Sequence, residues 1–118
     1  MSEHLTVSAE HVTGPVVVLT AAGEIDHDSQ SVLGEAAAAA FESGGRRLVI
    51  DLAGVPFCDS GGLSLFVRLH RQAVERGGSL RLAGAQDSVR SVLTITSLDR
   101  MFPLHPTVEQ AVRAALAA

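Results

Sequence analysis

The chain has 118 residues, a formal net charge of −4 at pH 7 and a hydrophobic content of 47%. A chain of this length can form one domain that buries roughly 65% of the surface exposed by its unfolded form. The nine basic residues are spread along the sequence, which argues against a surface that binds the phosphates of nucleic acid. The sequence therefore predicts one acidic domain, residues 1–118, without a nucleic-acid partner.

Membrane, metal and cofactor sites are not expected either. The start of the chain lacks the basic region and the long apolar run of a signal peptide, and no apolar run is long enough to span a membrane. The lone Cys58 has no partner for an internal disulfide and is expected to be a small buried hydrophobe. The five histidines do not have the spacing of metal ligands. These features predict a cytoplasmic protein with no cofactor.

The N-terminal half shows the pattern of a hairpin, a helix and a buried strand. Residues 5–10 alternate apolar and polar side chains, which is typical of an edge strand with one wet face. Residues 16–22 and 48–52 are apolar almost throughout, as in strands covered on both faces. Between them, a helix is predicted from the start signal of Asp28 and Ser29 to the glycine pair at residues 44–45.

The C-terminal half continues the alternation. A helix is predicted to begin near Ser60, whose side chain is expected to occupy the N-cap position and accept from a backbone N–H. Asp87 and Thr107 are the expected caps of two later helices. Strands are predicted at residues 79–83 and, shorter, at residues 102–104. The order β-β-α-β-α-β-α-β-α predicts a mixed, mostly parallel sheet with an antiparallel N-terminal edge strand and helices packed on it.

Two loops are predicted at the carboxyl ends of strands, where open α/β sheets carry their functional groups. One loop follows the second strand and contains Asp26 and His27, and the other follows the third strand and ends at Asp59 and Ser60. If the two strands are neighbours, these four residues lie close together. Because glycine costs about 1 kcal/mol relative to alanine in a helix, the pair at residues 61–62 needs a reason, such as close approach by another molecule.

The letters Asp-Ser-Gly-Gly also occur in trypsin-like serine proteases, so alone they leave Ser60 open as a nucleophile or as a phosphoacceptor. The protease order of His, Asp and Ser can be found in His27, Asp51 and Ser60. Those enzymes are all-β proteins, however, whereas this chain alternates strands with helices. An α/β-hydrolase elbow would need glycine where Cys58 stands, and the chain contains no lysine for a phosphate-binding loop. No enzyme activity is predicted.

Residues 48–63 resemble the signature of STAS-domain anti-sigma factor antagonists, and residues 23–27 resemble the upstream loop of that family. The similarity covers nearly the whole chain, including the glycine turn at 77–78, residues 97–102 and the closing helix. The resemblance implies that Ser60 is phosphorylated by a partner that is both an anti-sigma factor and a serine kinase. The unphosphorylated form would bind this partner and free the sigma factor, and a serine phosphatase would reverse the modification.

The resemblance also implies a partner-binding surface, formed by Asp26, His27, Asp59, Ser60, Gly61, Gly62, Leu63, Ser64 and Arg68. In relatives the position of Gly61 is often Ser, Thr or Ala, and glycine there is expected to loosen the first turn of the helix. Three other interpretations stay open at this point. Ser60 can be a plain helix cap, the domain can be a sensor of a small ligand or nucleotide, or it can be a scaffold that is not phosphorylated.

Overall fold

The computed structural model describes residues 5–117 of the chain. Its strands are β1 (Leu5–Thr13), β2 (Val16–Gly23), β3 (Arg47–Gly54), β4 (Ser79–Ala83) and β5 (Leu104–His105). Its helices are α1 (Gln30–Glu42), α2 (Ser60–Glu75), α3 (Asp87–Ile95) and α4 (Val108–Ala117), with a short 3-10 turn at Leu98–Arg100. Every element predicted from the hydrophobic pattern is present.

The five strands form one sheet in the order β1-β2-β3-β4-β5. The edge strand β1 pairs antiparallel with β2, and the other three pairs are parallel. This confirms the predicted fold class and the antiparallel edge. Within the described residues, no helix is both long and apolar enough to cross a membrane.

Two predicted boundaries are wrong. The last strand pairs at Leu104 and His105 rather than at residues 102–104, because Phe102 turns into the core and packs edge-on against Phe66 with the ring centroids 6.3 Å apart. The helix predicted to follow a cap at Asp87 already includes that residue. Its N-cap is Gln86, whose side chain makes no capping hydrogen bond.

The core consists of two clusters, one on each face of the sheet. Since side chains alternate along a strand, β2, β3 and β4 supply apolar groups to both clusters. The larger cluster joins the sheet to α1, α2 and α3, for example through Leu33, Leu65 and Leu93. The smaller cluster joins the sheet to α4 through Ala111 and Ala115. Three helices therefore cover one face of the sheet, and α4 covers the other.

The energetic weight of this core can be measured with a matched pair of phenylalanines. Phe66 is fully buried, whereas Phe57 in the loop before α2 is 49% exposed. We expect Phe66→Ala to lower the free energy of unfolding by about 3–5 kcal/mol and Phe57→Ala to lower it by less than about 1 kcal/mol, because only Phe66 leaves a cavity. Urea denaturation of both variants measures the difference, and equal losses would contradict the described core.

Candidate functional site

The two predicted loops meet at the carboxyl ends of β2 and β3, which are parallel neighbours. Beyond the last paired residues of the strands, Ile25 and Cys58 form an isolated parallel bridge. The backbone N–H of Ile25 donates to the carbonyl of Phe57 at 3.1 Å, and the N–H of Asp59 donates to the carbonyl of Ile25 at 3.1 Å. The expectation that the β2–α1 loop lies beside the start of α2 is confirmed.

The carboxylate of Asp59 holds this junction together. Its Oδ1 accepts from the backbone N–H groups of Gly61 at 2.8 Å and Gly62 at 3.2 Å, so Asp59 is the N-cap of α2. Its Oδ2 accepts from the backbone N–H of His27 at 3.2 Å. One side chain thus satisfies two free N–H groups of the helix start and one N–H group of the neighbouring loop.

The prediction that Ser60 is the N-cap is therefore wrong. Aspartate and serine cap helices about equally well, and here Asp59 has the extended backbone of a cap while Ser60 is the first helical residue. Ser60 is exposed, and its hydroxyl has no hydrogen-bond partner among residues 5–117. The start of α2 fixes the backbone of Ser60, and its hydroxyl is accessible from solvent.

The β2–α1 loop is fixed by a reciprocal pair of hydrogen bonds. The N–H of Ser29 donates to Oδ1 of Asp26 at 2.8 Å, and the N–H of Asp26 donates to the Ser29 hydroxyl oxygen at 3.0 Å. The Ser29 hydroxyl in turn donates to the carbonyl of Glu24 at 2.7 Å. Ser29 is fully buried. The helix start predicted at Asp28 and Ser29 is confirmed, with Ser29 bonding to its own loop instead of capping α1.

Gly61 and Gly62 have an intramolecular explanation. A Cβ added at Gly61 would lie 2.8 Å from Cα of His27, and one added at Gly62 would lie 2.5 Å from Sγ of Cys58 and 2.7 Å from Cγ2 of Ile25. Contacts this short do not occur in real proteins without movement of a neighbour. The glycines therefore let the loop approach the first turn of α2. The expectation that Gly61 loosens this turn stays a prediction.

The remaining predicted surface residues divide between the core and the solvent. Leu63 is half-buried and packs against the larger core cluster. Ser64 and Arg68 are exposed and follow Ser60 at intervals of four residues, so the three residues form one polar stripe along α2. The guanidinium of Arg68 donates to Oε1 of Gln30 at 2.7 Å, which connects the stripe to α1.

Phe57 is a candidate contact residue that the sequence reasoning missed. Its aromatic side chain is 49% exposed in the loop that leads to Ser60. The loop is held from the other side by α3, since the Ser88 hydroxyl donates to the carbonyl of Pro56 at 2.8 Å. Just before α3, Gln86 Nε2 donates to the carbonyl of Ala53 at the end of β3, also at 2.8 Å. A large apolar residue between proline and a buried cysteine in a short loop was the available signal.

The neighbouring thiol takes no part in this surface. Burial, followed by the negative charge of Asp59, raises the pKa of Cys58 to about 12, so the sulfur stays a neutral thiol at physiological pH. This agrees with the expected role of a small buried hydrophobe. In the part of the chain that the structure describes, no group of three or more His, Cys, Asp or Glu side chains could hold a metal ion.

A family model of the STAS domain matches residues 7–111 of the chain. An anti-sigma factor antagonist from Mycobacterium paratuberculosis has 30% identity and a TM-score of 0.84, over 94% of this chain and 93% of that one. Unphosphorylated SpoIIAA has 23% identity and a TM-score of 0.79, over 96% and 98%. Phosphorylated SpoIIAA from Bacillus has 23% identity and a TM-score of 0.73, over 92% and 98%.

The chain therefore belongs to the STAS-domain family. The resemblance carried by residues 48–63 and by the upstream loop is confirmed. The structure is also closely similar to those of anti-sigma factor antagonists.

The capping role of Asp59 can be tested by two substitutions. We expect Asp59→Ala to lower the free energy of unfolding by about 1–2 kcal/mol, because three backbone N–H groups lose their acceptor. Asp59→Asn keeps one oxygen for the helix start, so we expect its free energy of unfolding to fall by less than that of the alanine variant. Chemical denaturation gives both values. An alanine variant as stable as the wild type would show that the carboxylate does not hold the junction.

The close approach at Gly62 predicts that alanine has opposite effects on stability at Gly62 and at Gly34, another glycine within a helix. Gly62→Ala is expected to destabilise the protein by about 1–3 kcal/mol through overpacking against the β2–α1 loop. Gly34→Ala in α1 is the matched control, because its Cβ would meet only Leu65 at an ordinary 3.6 Å. That variant is expected to stabilise the protein by up to about 1 kcal/mol through helix propensity. Thermal unfolding of both variants tests the signs, and a stabilised Gly62→Ala protein would contradict the packing described.

Proposed function

We propose that this protein is an anti-sigma factor antagonist regulated by phosphorylation of Ser60. In this proposal the unphosphorylated form binds an anti-sigma factor that has serine kinase activity, and the bound sigma factor is freed. Phosphorylation of Ser60 ends the binding, and a serine phosphatase restores it. The observation that supports this proposal most directly is the exposed hydroxyl of Ser60 on the first residue of α2, beside a rigid junction of two loops.

The position of Ser60 in a helix has a consequence for the kinase. A residue in the first turn of a helix cannot be drawn into an active site as an extended peptide without local unfolding. The kinase would therefore recognise the folded domain, with Ser60 presented at the end of α2. Recognition of the folded surface makes the same protein a substrate and a binding partner, which is what a regulated antagonist requires.

The surface around Ser60 is suited to such a partner. Ser64 and Arg68 continue the polar stripe along α2, and exposed Phe57 lies three residues before Ser60 in the sequence. Protein interfaces commonly combine an aromatic anchor with a polar rim. In this proposal Asp26, Gly61 and Gly62 act through the shape of the junction, while His27 and Ser60 are exposed and contact the partner directly.

Phosphorylation would change the charge of this surface without requiring a new fold. A phosphate adds about −1.5 to −2 charges, and the positive end of the helix dipole tolerates an anion at this position. The N–H groups of Gly61 and Gly62 are already bonded to Asp59, so the phosphate would lie beside a carboxylate instead of replacing it. Binding would be lost through bulk and repulsion at the contact surface.

The similar proteins support this proposal. One of them is an anti-sigma factor antagonist with 30% identity over nearly the full length of both chains. SpoIIAA has the same fold in both its unphosphorylated and its phosphorylated forms. A phosphate on this fold is therefore expected to leave the domain folded. The role proposed here is one of binding and not of catalysis.

The test is phosphorylation by an anti-sigma factor kinase that the wild-type protein captures from its own cells. With ATP, we expect one phosphate on Ser60, found by mass spectrometric mapping, and none on Ser60→Ala. Ser64→Ala is the matched control, since Ser64 is an exposed serine one turn further along α2, and it should be phosphorylated normally. A phosphate mapped to any other residue would overturn the assignment. We also expect Ser60→Asp to bind the kinase at least tenfold more weakly with an unchanged circular dichroism spectrum.

A further inference from the structure

The strands β4 and β5 are parallel neighbours, and the helices that follow them pack on opposite faces of the sheet. The helix that follows β4 packs on the larger cluster through Val89 and Leu93, whereas the helix that follows β5 packs on the smaller cluster through Ala111 and Ala115. The helices that follow β2 and β3 both lie on the same face as α3. In open α/β sheets, ligands bind in crevices outside the carboxyl ends of the strands. Helices on opposite faces leave room for such a crevice at the ends of β4 and β5.

A cavity occupies this position. Its volume is about 250 Å³, and it is lined by Gly84, Ala85, Arg90, Leu104, His105 and Pro106. These residues belong to the loop after β4, the first turns of α3 and the end of β5. Pockets for drug-sized ligands are usually about 300–1,000 Å³, so this crevice fits a smaller molecule.

The polar groups of the crevice are donors. His105 Nε2 lies 3.2 Å from Nη1 of Arg81, and since a guanidinium can only donate, Nε2 must accept. Neutral His105 therefore carries its proton on Nδ1, for which no hydrogen-bond partner is found among residues 5–117. Burial, followed by the charge of Arg81, lowers the pKa of His105, in agreement with this neutral form.

Two arginines and two carboxylates surround these donors: Asp87 pairs with Arg90, and Oδ1 of Asp51 would lie 3.5 Å from a Cβ at Gly84. Arg81 is half-buried, and in the described part of the chain no carboxylate lies within 4.0 Å of it. Its buried Nε atom has no hydrogen-bond partner there either. Arg90 pairs with Asp87 one turn away, but both side chains are more than half exposed. Such a pair contributes little to stability, so the Arg90 guanidinium can turn to a ligand at small cost.

We propose that this crevice is a binding site for a small phosphate-bearing ligand, which is held by the Arg90 guanidinium and by the Nδ1–H of His105. A phosphate group near neutral pH carries close to two negative charges and accepts several hydrogen bonds. It therefore gains more from the Arg90 guanidinium than a singly charged carboxylate does, while Arg81 acts indirectly, by fixing the proton of His105 on Nδ1. The site is distinct from the surface around Ser60, which lies at the ends of β2 and β3.

The probe is inorganic phosphate, titrated into the full-length protein and followed by amide chemical shifts. We expect saturable shifts at Gly84, Ala85 and His105, with half-saturation at millimolar concentration or below. Acetate at the same ionic strength should produce no saturable shifts. Saturation with acetate but not phosphate would overturn the assignment to phosphate, and unsaturable shifts at scattered surface residues would overturn the site.

Two substitutions locate the binding groups, with a matched control on another helix. Arg90→Gln is expected to weaken phosphate binding at least tenfold, and His105→Gln, which keeps an acceptor for Arg81, at least threefold. Arg113→Gln is the control, since Arg113 is also an exposed arginine in a one-turn ion pair but lies outside the crevice. It should bind phosphate within twofold of the wild type. Equal losses in Arg90→Gln and Arg113→Gln would show a nonspecific charge effect and contradict the proposal.

Discussion

The carboxylate of Asp59 is the contact on which the candidate surface depends. It receives two N–H groups from the start of α2 and one from the β2–α1 loop, so it fixes a helix and a loop that are more than thirty residues apart in sequence. A neutral cap with a single hydroxyl could not accept all three. Because Asp59 supplies the cap, the hydroxyl of Ser60 is left free on the surface.

The β2–α1 loop packs closely against the start of α2, and Gly61 and Gly62 permit this close packing. Each glycine in a helix costs about 1 kcal/mol relative to alanine, yet side chains at residues 61 and 62 would displace the loop that Asp59 holds. The loss of helix propensity is thus the cost of bringing Ile25 and His27 into contact with the helix start. The buried hydroxyl of Ser29 and the carboxylate of Asp26 then keep that loop in one conformation.

The sequence was sufficient for the order of elements, because each strand and helix has its own hydrophobic period. Alternation in residues 5–10 and the apolar runs at 16–22 and 48–52 depend only on local burial, and all three segments are strands, although Ala9 is exposed. The N-cap of α2 was not predictable in this way. Both Asp59 and Ser60 suit that position, and Asp59 in addition accepts a hydrogen bond from His27, a tertiary contact that a local pattern does not show. The packing of the β2–α1 loop against Gly61 and Gly62 is also a tertiary contact, so the sequence did not predict it.

The crevice beside β5 was also beyond the sequence, because it depends on the face of the sheet that α4 covers. An amphipathic stripe predicts that a helix is buried, but it does not predict the side of the sheet on which it packs. The cavity lies next to α3. Gln86, the N-cap of α3, donates to the carbonyl of Ala53 at the end of β3, and Ser88 donates to the carbonyl of Pro56 in the loop before Ser60.

The start of α3 therefore contacts both the crevice and the loop that carries Ser60. Contact alone does not couple two sites, since a ligand shifts a conformational equilibrium only by its difference in affinity for the two states. The hydrogen bond from Ser88 in α3 holds the loop at Pro56, and Arg90 of the same helix lines the crevice. A ligand that required Arg90 to leave Asp87 without moving the α3 backbone would leave Ser60 unaffected. Only a ligand that shifted the first turn of α3 would alter the loop, and through it the position of the Ser60 hydroxyl.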